Sequence, residues 1–229
     1  GGLALENGAA RLPVLGALFH DIHLTANANQ AGTFTIDGTA SSGPGQLSIS
    51  GATPILPSTD RAGHLTITGD RFEVINTDDA HAIVSPDLTV TTTGRLISVQ
   101  GTVAVPLAHV ELSQIPVTAV PPSDDVVFVD TLGGGGGPAR QVAANILVTL
   151  GDSVSFQGFN FTASLGGELR VNERPGHPTT GTGTIIIEQG HYKAYGQDLT
   201  ISHRLIRFAR GPVNDPGLNI TASRTAEES

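Results

Sequence analysis

The sequence predicts an all-β chain, and three observations carry that expectation. Apolar residues alternate with polar ones through most of the 229 residues, the period that sends every second side chain to one face of a strand. Gly, Asn, Asp and Pro interrupt the alternation at intervals of roughly 8–15 residues, the punctuation of a strand array. Helical periodicity is nearly missing. The best candidate, 138–150, ends in the alternating Ile146, Val148 and Leu150 and reads mostly as strand.

The strands follow in order. Leu3 and Leu5 alternate, then Phe34 and Ile36, Leu47 and Ile49, Leu65 and Ile67, and Phe72 and Val74. Leu88 and Val90, Val103 and Val105, Val110 and Leu112, and Val127 and Val129 continue the pattern. Val154 and Phe156, Phe159 and Phe161, Leu169 and Val171, and Ile185 and Ile187 lead to the C-terminal third. There Tyr192 and Ala194 share one face of a run that meets a second run, Leu199 and Ile201, at Gly196. Each run is about 4–7 residues, the usual strand length. An internal echo links Gly2–Gly8–Gly16 to Gly183–Gly190–Gly196: both read as Gly, strand, Gly, strand, Gly, followed by a third strand at 21–25 or 197–201. The five glycines 133–137 are expected to form a flexible loop within one elongated domain spanning 1–229.

Composition bounds the function. The net charge of −9 argues against a nucleic-acid surface, which needs clustered cations. Zero Cys excludes a disulfide framework and a thiolate metal site. No run of about 18 apolar residues exists, so no helical membrane span is expected. The chain carries no Met, which points to a piece of a longer protein.

Chemical motifs are sparse. The glycine run lacks the Gly-Lys-Ser/Thr ending of a phosphate loop. His20 and His23 point to opposite faces of a strand and do not converge on a metal. The acid pairs Asp78-Asp79 and Asp124-Asp125 sit among turn residues and diverge in the same way. Asn160-Phe-Thr162 and Asn219-Ile-Thr221 match a glycosylation triplet inside alternating runs, so neither is read as a site. No nucleophile elbow is present. No catalytic residue, metal or cofactor is therefore assigned. What remains is the apolar face. Alternation alone leaves a sandwich or barrel open, while an aliphatic face without Trp suits alkyl chains.

The C-terminal third narrows the choice. Gly181-Thr-Gly-Thr-Ile-Ile-Ile-Glu-Gln-Gly190, Tyr192-Lys-Ala-Tyr-Gly-Gln-Asp-Leu-Thr-Ile201, Leu205-Ile-Arg-Phe208, Gly211-Pro212, Asp215-Pro216 and Leu218-Asn-Ile-Thr-Ala-Ser-Arg224 resemble the TamB C-terminal domain family. Segments 148–154, 167–171, 84–88, 101–106 and 107–116 are similar as well. Two departures stand out. His203-Arg204 replaces the Arg-Gly usual before the Leu205–Phe208 strand, which puts the tightness of a turn there in doubt. The family also continues into a further C-terminal tail beyond the point where this chain stops, Ser229.

The resemblance implies a β-taco, a long curved sheet folded into a half-pipe with an apolar concave face. It implies the periplasm of a Gram-negative bacterium, an inner-membrane anchor outside this chain, and an outer-membrane barrel partner, TamA. It also implies a groove for phospholipid or another acyl-chain ligand. The residues expected to line it are Leu65, Ile67, Leu88, Val90, Val103, Val105, Val127, Val129, Ile146, Val148, Val154, Phe156, Leu169, Val171, Ile185, Ile187, Tyr192, Ala194, Leu199, Ile201, Ile206, Phe208, Leu218 and Ile220. Under this reading, Ile187→Asp or Ile201→Arg should spare the fold while breaking the apolar path. The competing reading is an assembly module that offers strand edges to outer-membrane proteins, or to a second copy of itself, without carrying lipid. A β-solenoid adhesin or polysaccharide enzyme is a third, and the acids it would cluster on one face are not seen.

Overall fold

A computed structural model describes residues 1–30, 32–56, 60–112, 140–194 and 197–223. Strand accounts for 81% of the structure, and no helix occurs among the described residues. In chain order the strands are β1 (Gly2–Leu12), β2 (Ala17–Ala28), β3 (Thr33–Ser42), β4 (Gly45–Pro54), β5 (Gly63–Asp70), β6 (Phe72–Asn76) and β7 (Ala80–Thr93). They continue as β8 (Leu96–Leu112), β9 (Gln141–Gly158), β10 (Phe161–Glu173), β11 (Thr180–Ala194), β12 (Gln197–Pro212) and β13 (Gly217–Ser223). All belong to one 13-stranded open sheet whose spatial order follows the chain from β1 to β13, with β5 and β6 both paired to β7. Every ladder is antiparallel except β8–β9. The glycine run 133–137, Val127 and Val129 fall between those two strands, outside the described residues.

Strands are longer than the alternating runs suggested. Val103–Val105 and Val110–Leu112 belong to one 17-residue strand, β8, and Ile146–Val148 and Val154–Phe156 to one 18-residue strand, β9. Gly8 and Gly190 do not separate strands; each lies inside a single bulged strand, β1 or β11. Phe159 and Asn160 do not extend a strand either. They form the β9–β10 turn with φ of 53° and 61°, the left-handed geometry of a two-residue hairpin loop. His203 and Arg204 likewise mark no turn. They pair with Thr221 and Ile220 within β12, next to a register shift.

Several of the register shifts fall at one level of the sheet. β5 ends and β6 begins at Arg71, whose φ is 48°. The β7–β8 ladder slips between Ile83 and Ser85, and the β8–β9 ladder slips at Pro106, between Val105 and Leu107. The β9–β10 and β10–β11 ladders slip on the C-terminal side of Ser164, and the β12–β13 ladder slips between Ile201 and His203. Bulges bend strands and increase their twist. Those at one level therefore make a crease between β5–β6 and β13, across which only the β11–β12 ladder keeps its register. Proline, which cannot donate to a ladder, is accommodated at such irregularities.

The crease holds the core. Among the described residues the buried apolar side chains are Ala17, Phe72, Ile83, Val154, Ala163, Ile187 and Ile201, and all but Ala17 lie beside a shift. Ala17 belongs to a small plug against β6. There Phe19 stacks on Phe72 at 5.4 Å, Asn76 N–H donates to the Leu15 carbonyl at 2.8 Å, and the Ser42 hydroxyl donates to the Leu18 carbonyl at 3.1 Å. The hairpin tips of β1–β2 and β3–β4 thus cover β6, which would otherwise present a free edge.

This distribution sets a contrast in stability. Ile187, 1% exposed, should cost about 2–5 kcal/mol when changed to Ala. Thr66→Ala, on an exposed strand position, should stay within about 0.5 kcal/mol of the wild type. Urea unfolding of the two variants measures the difference; equal losses would show that the crease is not the core.

Candidate functional site: an apolar sheet face

Strand register places the apolar residues on a single face. Directly paired residues share a face, so a row can be followed from strand to strand. One row reads Leu5, Leu24, Gly38, Ile49, Ile67, Leu88, Gly101, Ile146, Val171 and Gly181, unbroken from β1 to β11. The neighbouring row on the same face runs Leu3, Ala26, Ile36, Gly51, Leu65, Val90, Val99 and Ala144. On the other side lie Val103, Val148, Leu169, Gly183 and Phe208, and then Val105, Leu150, Gly167, Ile185, Ile206 and Leu218. Past the crease the face continues through Val110, Phe156, Ala163 and Gly190, and through Leu112, Gly158, Phe161, Tyr192 and Leu199.

The opposite face is mostly polar, with Leu147, Ile186 and Leu205 as apolar exceptions. Its matching row is Thr25, Asp37, Ser50, Thr66, Thr89, Gln100, Asn145, Asn172 and Thr180. Along β2, β4 and β5 the apolar positions from Ile22, Leu47 and Leu65 onward are half-buried and the intervening polar ones exposed. Major contacts among the described strands run between ladder neighbours, apart from β6 against β2, β3 and β4. No second described layer covers the apolar face.

The expected groove residues sort cleanly. Leu65, Ile67, Leu88, Val90, Val103, Val105, Ile146, Val148, Phe156, Leu169, Val171, Ile185, Ile206 and Phe208 are half-buried on this face. Leu199 is half-buried too, while Tyr192 and Leu218 are exposed toward the sheet's far corner and last strand. Ala194 and Ile220 pair in the ladder with Gln197 and Arg204. Ile187, Val154 and Ile201 are buried in the crease. That overturns the expectation that charge at Ile187 or Ile201 would spare the fold, because an unpaired charge in a closed core is strongly destabilising.

Glycine on this face was not singled out from sequence. Gly101 has φ of 140°, and a Cβ there would lie 2.1 Å from the Asp87 carbonyl oxygen; Gly183, at 146°, would meet the Glu168 carbonyl oxygen at 2.3 Å. Backbone geometry forbids a side chain at both, so the face keeps low points between its aliphatic ridges. Leu3, Leu5, Ile36 and Ile49 were read as strand residues outside the expected groove, and the register puts them on the same apolar face.

Charge is divided between the ends of the sheet. Arg61, Arg95, Arg140, Arg174 and Arg210 lie at the end holding the β4–β5, β7–β8 and β10–β11 connections, with Asp60, Glu173 and Asp215. Asp70, Glu73, Asp78, Asp79 and Glu111 gather toward the other end, with Arg71 and Lys193. Among the described residues no cluster of His, Asp or Glu has metal-binding geometry. His20 instead hydrogen-bonds Asp21 at 2.8 Å, and His81 bonds Glu73 at 2.9 Å.

Comparison with known proteins fits this architecture. The profile described as the TamB C-terminal domain matches residues 24–229. The chain belongs to the TamB C-terminal domain family. It is also similar to the translocation and assembly module subunit TamB of Haemophilus influenzae, at 26% identity over 225 residues. That alignment covers 90% of this chain and 16% of the relative, so the chain corresponds to a small part of that protein's length. The TamB-family signature residues occupy the last three strands. Gly181–Gly190 and Tyr192 lie in β11, Leu199–Phe208 and Gly211-Pro212 in β12, and Leu218 in β13. The signature's glycines are steric: a Cβ on Gly190 would come within 2.9 Å of Ile201 and 3.0 Å of Ile187.

Proposed function

We propose that the apolar face lines the inside of the half-pipe and shelters phospholipid acyl chains on their way between the inner and outer membranes. On this reading the chain works in the Gram-negative periplasm as part of a translocation and assembly module, anchored in the inner membrane by another segment and joined to a TamA-type barrel. The observation that carries it is the unbroken apolar row from Leu5 to Gly181, half-buried along the central strands and without a described layer over it. A phospholipid has on the order of 30 methylenes, each costing about 0.8 kcal/mol to expose, so a bare aqueous crossing costs roughly 25 kcal/mol. A continuous aliphatic wall removes most of that cost without directional bonds. The work is binding rather than chemistry, and no residue is assigned a catalytic role.

The test adds one charge to either face of the same strand. Leu65→Asp and Ile67→Asp should keep the sheet's circular dichroism yet lose co-purifying phospholipid about tenfold by mass spectrometry, because a carboxylate in the trough must stay hydrated. Thr66→Asp, between them on the polar face, should retain it. Equal lipid content in all three, or none in the wild type, contradicts the groove.

The sheet's ends favour a second role beside the first. Among the described residues β1 and β13 each have one ladder neighbour, and Leu3 and Leu218 on them are 65% and 67% exposed. Such an edge accepts an added strand from an outer-membrane protein, a barrel partner or a second copy. Light scattering across a dilution series should show concentration-dependent association that Leu218→Lys weakens. A chain that stays monomeric at every concentration and captures no β-strand peptide argues against edge recognition.

A further inference from the structure

We propose that the recess at the arginine end of the apolar face binds the phosphate of a phospholipid headgroup, a site that rests on the acyl-chain reading of that face. The recess holds about 330 Å³, within the about 300–1,000 Å³ usual for small-molecule sites. Its apolar wall includes Phe34, Leu65 and Ile97, and its rim carries Arg61, Arg95 and Arg140. These arginines come from three separate connections, before β5, before β8 and before β9, yet the fold brings them to one opening. A chain of net charge −9 has few cations to spend, and three of them converge here. Arg95 and Arg140 make no ion pair among the described residues.

The rows of the sheet grade toward this opening. Ile67 and Leu88 pair on the apolar face, followed outward by Leu65 and Val90, then by Gly63 and Thr92. The Thr53 and Thr92 hydroxyl oxygens are 3.4 Å apart, and both lie 2.5 Å from where a Cβ on Gly63 would be. Glycine at 63 therefore leaves room for the paired hydroxyls, and Arg61, Arg95 and Arg140, just outside the ends of β5, β8 and β9, line the same recess. Aliphatic, hydroxyl and cation succeed one another in the order in which a phospholipid presents its chains, glycerol esters and phosphate. Guanidinium is the side chain best matched to a phosphate oxygen pair. The headgroup would then sit in water at the mouth while the chains follow the face.

Isothermal titration tests this with three probes: dihexanoyl phosphatidylglycerol, dihexanoylglycerol without the phosphate, and inorganic phosphate. The variant is Arg95→Gln/Arg140→Gln, which removes the charge and leaves a shorter, neutral polar side chain. Wild type should bind the phospholipid more tightly than either partial probe. The variant should lose about tenfold on the phospholipid, change less than about twofold on dihexanoylglycerol, and melt as wild type does. Unchanged phospholipid affinity in the variant overturns the headgroup site and leaves the groove standing. Binding of neither acylated probe overturns the groove and the site together. Inorganic phosphate bound as tightly as the phospholipid, with loss in the variant, assigns the recess to free anions and overturns the headgroup proposal. Arg95→Lys/Arg140→Lys should recover part of the affinity, since the charge returns without the fork.

Discussion

The hydrogen-bonded ladder is the constraint on which this structure depends. With no second described layer to pack against, the strands are held by their ladder neighbours and by cross-strand side-chain pairs. Long strands follow from that, because an extended ladder must supply what a sandwich core would. Alignment of the bulges follows too. A single misplaced shift would put one strand's apolar residues on the wrong face. Shifts repeated at one level from strand to strand keep the face continuous and bend the sheet. Burial concentrates at that bend, at Ile83, Val154, Ile187 and Ile201, and the rest of the face stays half-open.

A sheet built this way has a property that a closed core lacks. Its apolar rows are unfinished as protein packing: Leu65, Ile67, Val90 and Val148 touch lateral neighbours while part of each remains accessible. A soluble chain tolerates such a surface when something apolar completes it. An acyl chain suits the geometry, since it is as long and featureless as the rows and demands no bonds from them. Glycines such as Gly101 and Gly183, whose backbone excludes a side chain, lower the floor between the ridges. The fold and the proposed cargo thus meet through one feature, the open half of the core.

Much of this was legible in the alternation. The period of two located most strands and the residues of their apolar face, because burial on one side is what keeps that period. Strand boundaries were less legible. Gly8 and Gly190 read as breaks, yet each lies inside a bulged strand, and ladder neighbours decide between a break and a bulge. The same limit explains Ile187 and Ile201. Their pattern matches that of Ile67, and only the crease, set by residues on other strands, buries them. Arg61, Arg95 and Arg140 gave no signal at all, being separated by long stretches of chain that the sheet order brings together.

The central claim is that one face of the sheet meets lipid and the other does not. The most direct measurement places a photocrosslinking amino acid singly at alternate positions along β7, at Leu88, Thr89 and Val90, in cells growing with labelled phospholipid. Leu88 and Val90 share the apolar face, and Thr89 between them points the other way. Lipid adducts at Leu88 and Val90 with none at Thr89 are the predicted result. Adducts at all three, or at none, would contradict a lipid-bearing face.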